Sequence, residues 1–319
     1  MNTNQKYPSF ILGCDKDGAD ISYTLGPRES VILIAGTCGN GRTTLIQRII
    51  TQFINSYYSD EVQFILADTI GIAFGQYKGL PYLLKDPLTK PKEIIDAMDW
   101  ILEENKRRTE IIKNSKDKNK AASNFPAVVF VIDEFSYLFK RDGIEHDKFT
   151  LFLSEFNKFS RYANTHIILS TQRREEEFIT GQDLAYIPSR FIFHCLDNKE
   201  SERLILADGA EKLKQGEFLY RNETMLEPNF CKIKNLSNEE IIKTINKVNK
   251  KHPKRDEKIA LSGSKKINWM NKKLLRFTSE QPLLYIWNGA AFETWTRDPF
   301  LTMEVLYHWA KTAYCICKK

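Results

Sequence analysis

The sequence predicts an α/β fold with a mostly parallel sheet and helices on both faces, and three stretches carry that reading. In the first, the apolar, β-branched run Val31-Ile32-Leu33-Ile34-Ala35 ends in Gly36-Thr37-Cys38-Gly39-Asn40-Gly41-Arg42-Thr43-Thr44, and the residues that follow repeat their apolar positions at helical spacing. In the second, residues 127–132 form an apolar run closed by Asp133 and Glu134. The third, residues 165–170, ends in Thr171-Gln172. Apolar strands separated by helical patterns are the signature of a parallel sheet covered by helices.

A chain of 319 residues can bury a large core, and one main domain with a smaller appendage is expected. Its 42% hydrophobic and 28% charged content is that of a soluble globular protein, and no run approaches the roughly 18 apolar residues of a membrane-spanning helix. The opening residues MNTNQKYPSF lack the charged-then-apolar pattern of a signal peptide, so a cytoplasmic location is the expectation. Cys14, Cys38, Cys195, Cys231, Cys315 and Cys317 are scattered, as reduced thiols are. Cys315 and Cys317 lack the second ligand pair that a zinc site needs. The formal charge of +6 is uneven: residues 232–276 hold 14 Lys+Arg against 4 Asp+Glu, a local +10, which leaves −4 elsewhere. Such a segment is either a phosphate-facing element or a solvated linker.

Taken in order, residues 1–30 read as a β extension: alternating apolar residues flank Asp15-Lys16-Asp17-Gly18, a hairpin turn expected at the edge of the sheet. Residues 62–67 form a second core strand closed by Asp68, which either faces a ligand crevice or caps the next turn. A helix follows from Pro91, with Glu103–Arg107 and Glu104–Arg108 spaced to support its solvent face. Residues 114–124 are almost devoid of apolar side chains and read as a loop. An aromatic-rich helix runs from about Asp147 to Tyr162, and His166 reads as a packed strand residue. Beyond Asn235 the composition shifts to a basic linker and a tail containing Trp269, Trp287, Trp295 and Trp309, so the divisions expected are 1–30, 31–235 and 236–319. No internal repeat is visible.

The chemistry is concentrated in the first two stretches. Gly36 to Thr43 read G-x-x-x-x-G-R-T, where a phosphate-cradling P-loop reads G-x-x-x-x-G-K-[ST]. Arginine therefore stands where lysine is usual. Asp133-Glu134 has the form of a Walker B pair, in which the first acid holds Mg2+ and the second orients and deprotonates the attacking water. Gln172, at the end of a neighbouring strand, is placed to sense a γ-phosphate or position water.

These residues, together with the Tyr77-Lys78-Gly79-Leu80-Pro81, Glu103 to Arg108, Leu169 to Arg173 and Gly209 to Leu213 segments, resemble the motor domain of the FtsK/SpoIIIE family of DNA translocases. The resemblance implies a RecA-like core that binds ATP with Mg2+, a homo-hexameric ring, and movement of double-stranded DNA. It implies that Gly36, Thr37, Cys38, Gly39, Asn40, Gly41, Arg42, Thr43 and Thr44 hold the phosphates, with Thr43 and Asp133 on the metal. Glu134 and Gln172 would serve hydrolysis, and Arg190, with Arg161 as the second candidate, would be an arginine finger reaching a neighbour's ATP. Asp68-Thr69-Ile70 departs from the family's Asp-Pro-Lys and lacks its basic residue, and the tail does not look like the family's winged-helix module for sequence-directed loading. A short member without a membrane anchor is expected to suit plasmid, phage or mobile-element DNA transfer, or a secretion accessory, better than chromosome segregation. The tail reads as a partner-docking module or a small core of its own. Two other functions stay open: a secretion ATPase that moves proteins, and a weakly hydrolysing structural or regulatory subunit motivated by Arg42.

Overall fold

The computed structural model describes residues 7–139, 146–172, 174, 178–251, 283–287 and 290–294. Its parallel strands are β3 (Val31–Ala35), β4 (Val62–Asp68), β5 (Ala127–Asp133), β6 (Thr165–Thr171) and β7 (Ser189–Ile192). An antiparallel ribbon is formed by β1 (Ser9–Cys14), β2 (Asp20–Thr24), β8 (Glu217–Arg221) and β9 (Asn229–Lys232). Together they make one sheet in the order β2-β1-β9-β8-β7-β3-β6-β5-β4.

Burial explains the division. Strands β3, β4, β5 and β6 are buried at every position, as parallel strands covered on both faces must be. The ribbon strands instead alternate between buried and accessible positions, the pattern of strands with one wet face. The parallel sheet read from sequence is thus the half from β7 to β4, and four antiparallel strands extend it.

The expected hairpin occupies the ribbon's outer edge. Asp15 Oδ1 accepts hydrogen bonds from the amides of Asp17 (2.9 Å) and Ala19 (2.8 Å), and Gly18 takes φ +87°. Gly13 lets β1 approach β9 closely, since a Cβ there would stand 2.3 Å from the Lys232 carbonyl oxygen.

Helix α1 (Arg42–Ser56) buries Leu45, Ile46, Ile49, Ile50 and Phe53 in the same core cluster as Ile32, Ile34 and Phe64. Helix α7 (Asn238–Lys251) adds Ile241, Ile245 and Val248 at helical spacing and packs on α1. Helices α2 (Pro91–Asn114) and α4 (His146–Ala163) pack on each other. Between them lies α3 (Lys118–Ser123), a short helix where the sequence suggests a loop. Asp117 caps it by accepting from the Lys120 amide at 3.0 Å, so one local carboxylate supplies what apolar content does not. The expected Glu103–Arg107 pair is replaced: Arg107 and Arg108 both turn to Glu104 at 2.7 Å. Arg108 is buried rather than on the solvent face, and donates to the carbonyls of Pro126 and Ala163.

His166 is a packed strand residue, 2% exposed, whose Nδ1 lies 2.9 Å from the Glu29 carbonyl oxygen. Burial pushes its pKa down from 6.5 to about 4. The unfolded chain takes up this proton below about pH 6.5, whereas the folded chain does so only near 4. Stability present above pH 6.5 should therefore fall by about 3 kcal/mol as pH drops towards 4. Denaturant titrations of His166→Gln should show a flatter acid limb; an unchanged limb would assign the sensitivity to other groups.

The first compact unit runs from Met1 to Lys266 and the second from Ile267 to Lys319. Of the second, the described part is a hairpin of β10 (Leu283–Trp287) and β11 (Ala290–Thr294), in register from Leu283↔Thr294 to Trp287↔Ala290. Trp269, Trp295, Trp309, Cys315, Cys317, Arg173 and the basic stretch beyond Lys251 lie outside the described residues. Among the described residues, no helix is long and apolar enough to cross a membrane.

Candidate functional site: a phosphate loop facing an acidic strand end

Strand β3 lies between β6 and β7 and delivers Gly36 to the carboxyl edge of the parallel half. The loop turns tightly against residues that follow β7. A Cβ on Gly36 would stand 2.5 Å from the Phe193 Cβ, and the Thr37 amide donates to the His194 carbonyl at 2.8 Å. Gly39 and Gly41 take φ +78° and +109°, and Gly41 caps α1 in the left-handed conformation. The first turn of α1 contains Arg42, Thr43 and Thr44 and no acid, so its free amides and positive dipole end favour an anion.

The ribbon supplies the facing wall. Gln215 Nε2 donates to the Gly39 carbonyl (2.9 Å) and the Gly216 amide to that of Asn40 (3.0 Å). Between the walls lies a cavity of about 470 Å³, lined on the loop side by Cys38, Gly39 and Gly41 to Thr44, and opposite by Gln215, Gly216, Lys232, Ile233 and Asn235. Of the loop residues, Cys38 is exposed and Asn40 donates to the Thr37 hydroxyl.

Asp133 ends β5, the strand beyond β6, and Glu134 follows it in the turn. Asp133 is 8% exposed, and burial raises its pKa, with Asp68 and Glu134 adding to the effect and Ser170 and Arg42 opposing it. Glu134 is 4% exposed with φ +52°, a left-handed conformation that costs a non-glycine residue energy. Its Oε1 accepts from the hydroxyls of Thr171 (2.8 Å) and Ser136 (3.0 Å), and both oxygens lie 3.0 Å from the Gln172 amide nitrogen. The observed contribution of Gln172 is thus its backbone, while its carbonyl accepts from Arg174 at 2.7 Å. Arg42, 9% exposed, reaches from the loop to the same group: Nη1 stands 3.4 Å from Glu134 Oε2 and 3.2 Å from the Ser170 hydroxyl.

Asp68 takes the second of its two open readings. Its carboxylate accepts from the amides of Ile70 (2.9 Å), Ile72 and Ala73, capping the turn after β4, and Thr69 ties that turn to the Glu134 carbonyl at 3.0 Å. Arg190 stands apart from this cluster. Its guanidinium donates to the carbonyls of Leu184 (2.6 Å), Leu204 (3.1 Å) and Ile187 (3.3 Å). Leu184 and Leu204 lie in the last turns of α5 (Gly181–Ala185) and α6 (Asn198–Ile205), so Arg190 joins two helix carboxyl ends. Arg161 is exposed, with its guanidinium carbon 5.0 Å from the Tyr162 ring centre.

Sequence reasoning missed Ser170, Thr171 and Ser136, although adjacent hydroxyls closing a buried apolar strand are a usable signal. It also missed the facing wall at Gln215, Gly216, Lys232, Ile233 and Asn235, which only the strand order brings to the loop.

The sequence model of the FtsK/SpoIIIE family matches residues 1–203. This chain belongs to the FtsK/SpoIIIE family. Among curated relatives, the DNA translocase FtsK of Lactiplantibacillus plantarum is 31% identical over 214 residues, covering 62% of this chain and 26% of the relative. That of Borreliella burgdorferi is 30% identical over 226 residues, covering 66% and 28%. The chain thus spans about a quarter of the length of these relatives. Among solved structures, the pCW3 conjugation coupling protein TcpA with ATPγS aligns with TM-score 0.65 at 20% identity, over 78% of this chain and 71% of TcpA. The type VII secretion ATPase EccC of Thermomonospora curvata aligns with TM-score 0.63 at 18% identity, over 75% and 31%. These likenesses establish the RecA-like P-loop fold of the family member.

Proposed function

We propose that the chain is an ATP-hydrolysing motor that moves double-stranded DNA through a ring of identical subunits. The observation that carries the hydrolysis is the glycine-rich cradle at the head of α1, with Asp133 and Glu134 at the strand end behind it, and the DNA translocases among the relatives support the substrate and the ring. Gly36 to Thr44 hold the phosphates, and Glu134 orients and deprotonates the attacking water, with Gln172 beside it. Thr43 and Asp133 offer the hard oxygen donors that Mg2+ takes, and a cation there would favour the ionised Asp133 carboxylate that burial, and after it the neighbouring Asp68 and Glu134, now disfavour. When bound, Mg2+ would supply charge neutralisation at the phosphates. Residues 31–235 are the ATPase region, preceded by the β extension 1–30 and extended by α7, which packs on α1 in the same core; the rest of 236–319 is a basic linker and partner-docking appendage.

The test is ATP turnover with and without duplex DNA, alongside native mass measurement. DNA-stimulated turnover by a hexamer is expected. Turnover stimulated by a protein substrate and indifferent to DNA would replace this reading with protein secretion.

Arg42 favours a second reading, a slow hydrolase. Its longer, planar side chain is not interchangeable with lysine at a tight phosphate site, and it engages Glu134 directly. Arg42→Lys is expected to raise turnover about tenfold or more, the scale of one charge-assisted hydrogen bond. Unchanged turnover in a steady-state assay would show arginine to be a full substitute.

A further inference from the structure

The contacts of Glu134 are asymmetric. Thr171 and the Gln172 amide belong to the end of β6, and Ser136 to the turn directly after Glu134. Arg42 alone among these donors comes from the loop and helix that line the cavity. Oε1 accepts from Ser136, Thr171 and the Gln172 amide, whereas Oε2 is shared between that amide and Arg42. The lone pair that a general base needs is therefore held by a cation. That cation uses only Nη1 for these contacts; among the described residues its Nε and Nη2 have no hydrogen-bond partner.

We propose that Arg42 is a latch on Glu134 that a bound nucleoside triphosphate opens. The inference rests on the nucleotide-site reading above. A γ-phosphate offers the guanidinium a more highly charged partner with several acceptor oxygens. As Arg42 moves to it, Oε2 loses its cation and becomes free to accept a proton from water. Ser170, which accepts from the same Nη1, is a positioning residue that keeps the guanidinium within reach of Glu134 in the closed latch. A diphosphate lacks the group that draws Arg42 away, so the base stays covered after hydrolysis and before exchange.

Linkage makes this measurable. If Glu134 competes with the γ-phosphate for Arg42, neutralising Glu134 must tighten triphosphate binding, and do so more strongly while Arg42 is present. Affinities of ADP and of the non-hydrolysable analogue AMPPNP would be measured for the unaltered protein, Glu134→Gln, Arg42→Met and the double variant. Glu134→Gln is expected to tighten AMPPNP about tenfold and ADP by less than about twofold. The AMPPNP gain should be at least about fivefold larger with Arg42 than with methionine. Equal gains in the two backgrounds, or equal gains for the two nucleotides, would overturn the latch while leaving the nucleotide site standing. No binding of either nucleotide to the unaltered protein would overturn the site and the latch together. Ser170→Ala leaves the Glu134 contacts in place and decides the matter should Glu134→Gln not fold. A smaller gain selective for AMPPNP is expected there, and no selective gain overturns the latch.

Discussion

Glu134→Gln should lower ATP turnover by at least about a hundredfold, the usual contribution of a general base, while the protein remains folded. Glutamine matches glutamate in shape and keeps one carbonyl oxygen for the donors now on Oε1, Thr171, Ser136 and the Gln172 amide. What it loses is the capacity to take a proton from water, together with the charge pair to Arg42 at Oε2. The measurement is steady-state phosphate release, with thermal unfolding as the control. Turnover within about threefold of the unaltered protein would remove Glu134 from the chemistry.

The second large effect is expected in stability. Arg190→Ala should destabilise the fold by about 3 kcal/mol, because it leaves the carbonyls of Leu184, Leu204 and Ile187 without their charged donor. That corresponds to a melting temperature lower by about 6–12 °C for a domain of this size. Burial and the neighbouring Arg221 lower the pKa of Arg190 to about 10, so the side chain stays charged at neutral pH. A role as an arginine finger requires the guanidinium to leave these carbonyls for a neighbour's phosphate. Melting and turnover measured on the same variant separate the roles: a structural residue moves the melting temperature, and a finger lowers turnover of an assembled ring at unchanged melting temperature.

The parallel half of the sheet was legible because strands buried on both faces write continuous apolar runs, and the phosphate loop because its glycines are forced by backbone geometry. The ribbon was harder. Residues 217–221 and 229–232 alternate weakly, and only their hydrogen bonds to β7 and β1 show that they complete the sheet and wall the cavity. Asp68 was ambiguous because a carboxylate at a strand end serves a crevice or a turn equally well, and the three amides that decide it come from residues 70–73. Arg42 was legible as an anomaly. Its partner was not, since Arg42 and Glu134 are 92 positions apart and meet only because β3, β6 and β5 are neighbours.

The same strand order gives the cavity a mechanical connection. From the outer hairpin the hydrogen-bonded path runs β2-β1-β9-β8, and the bonds from Gln215 and Gly216 continue it to the carbonyls of Gly39 and Asn40. A load applied to the chain ahead of Pro8 enters β1, whose Ser9 and Ile11 are bonded to Tyr57 and to Gln52 of α1, so it would reach the helix behind the phosphate loop as well as the facing wall. Nucleotide affinity should then vary with tension on the amino-terminal end, which would make the hairpin a strain gauge for the ATP site.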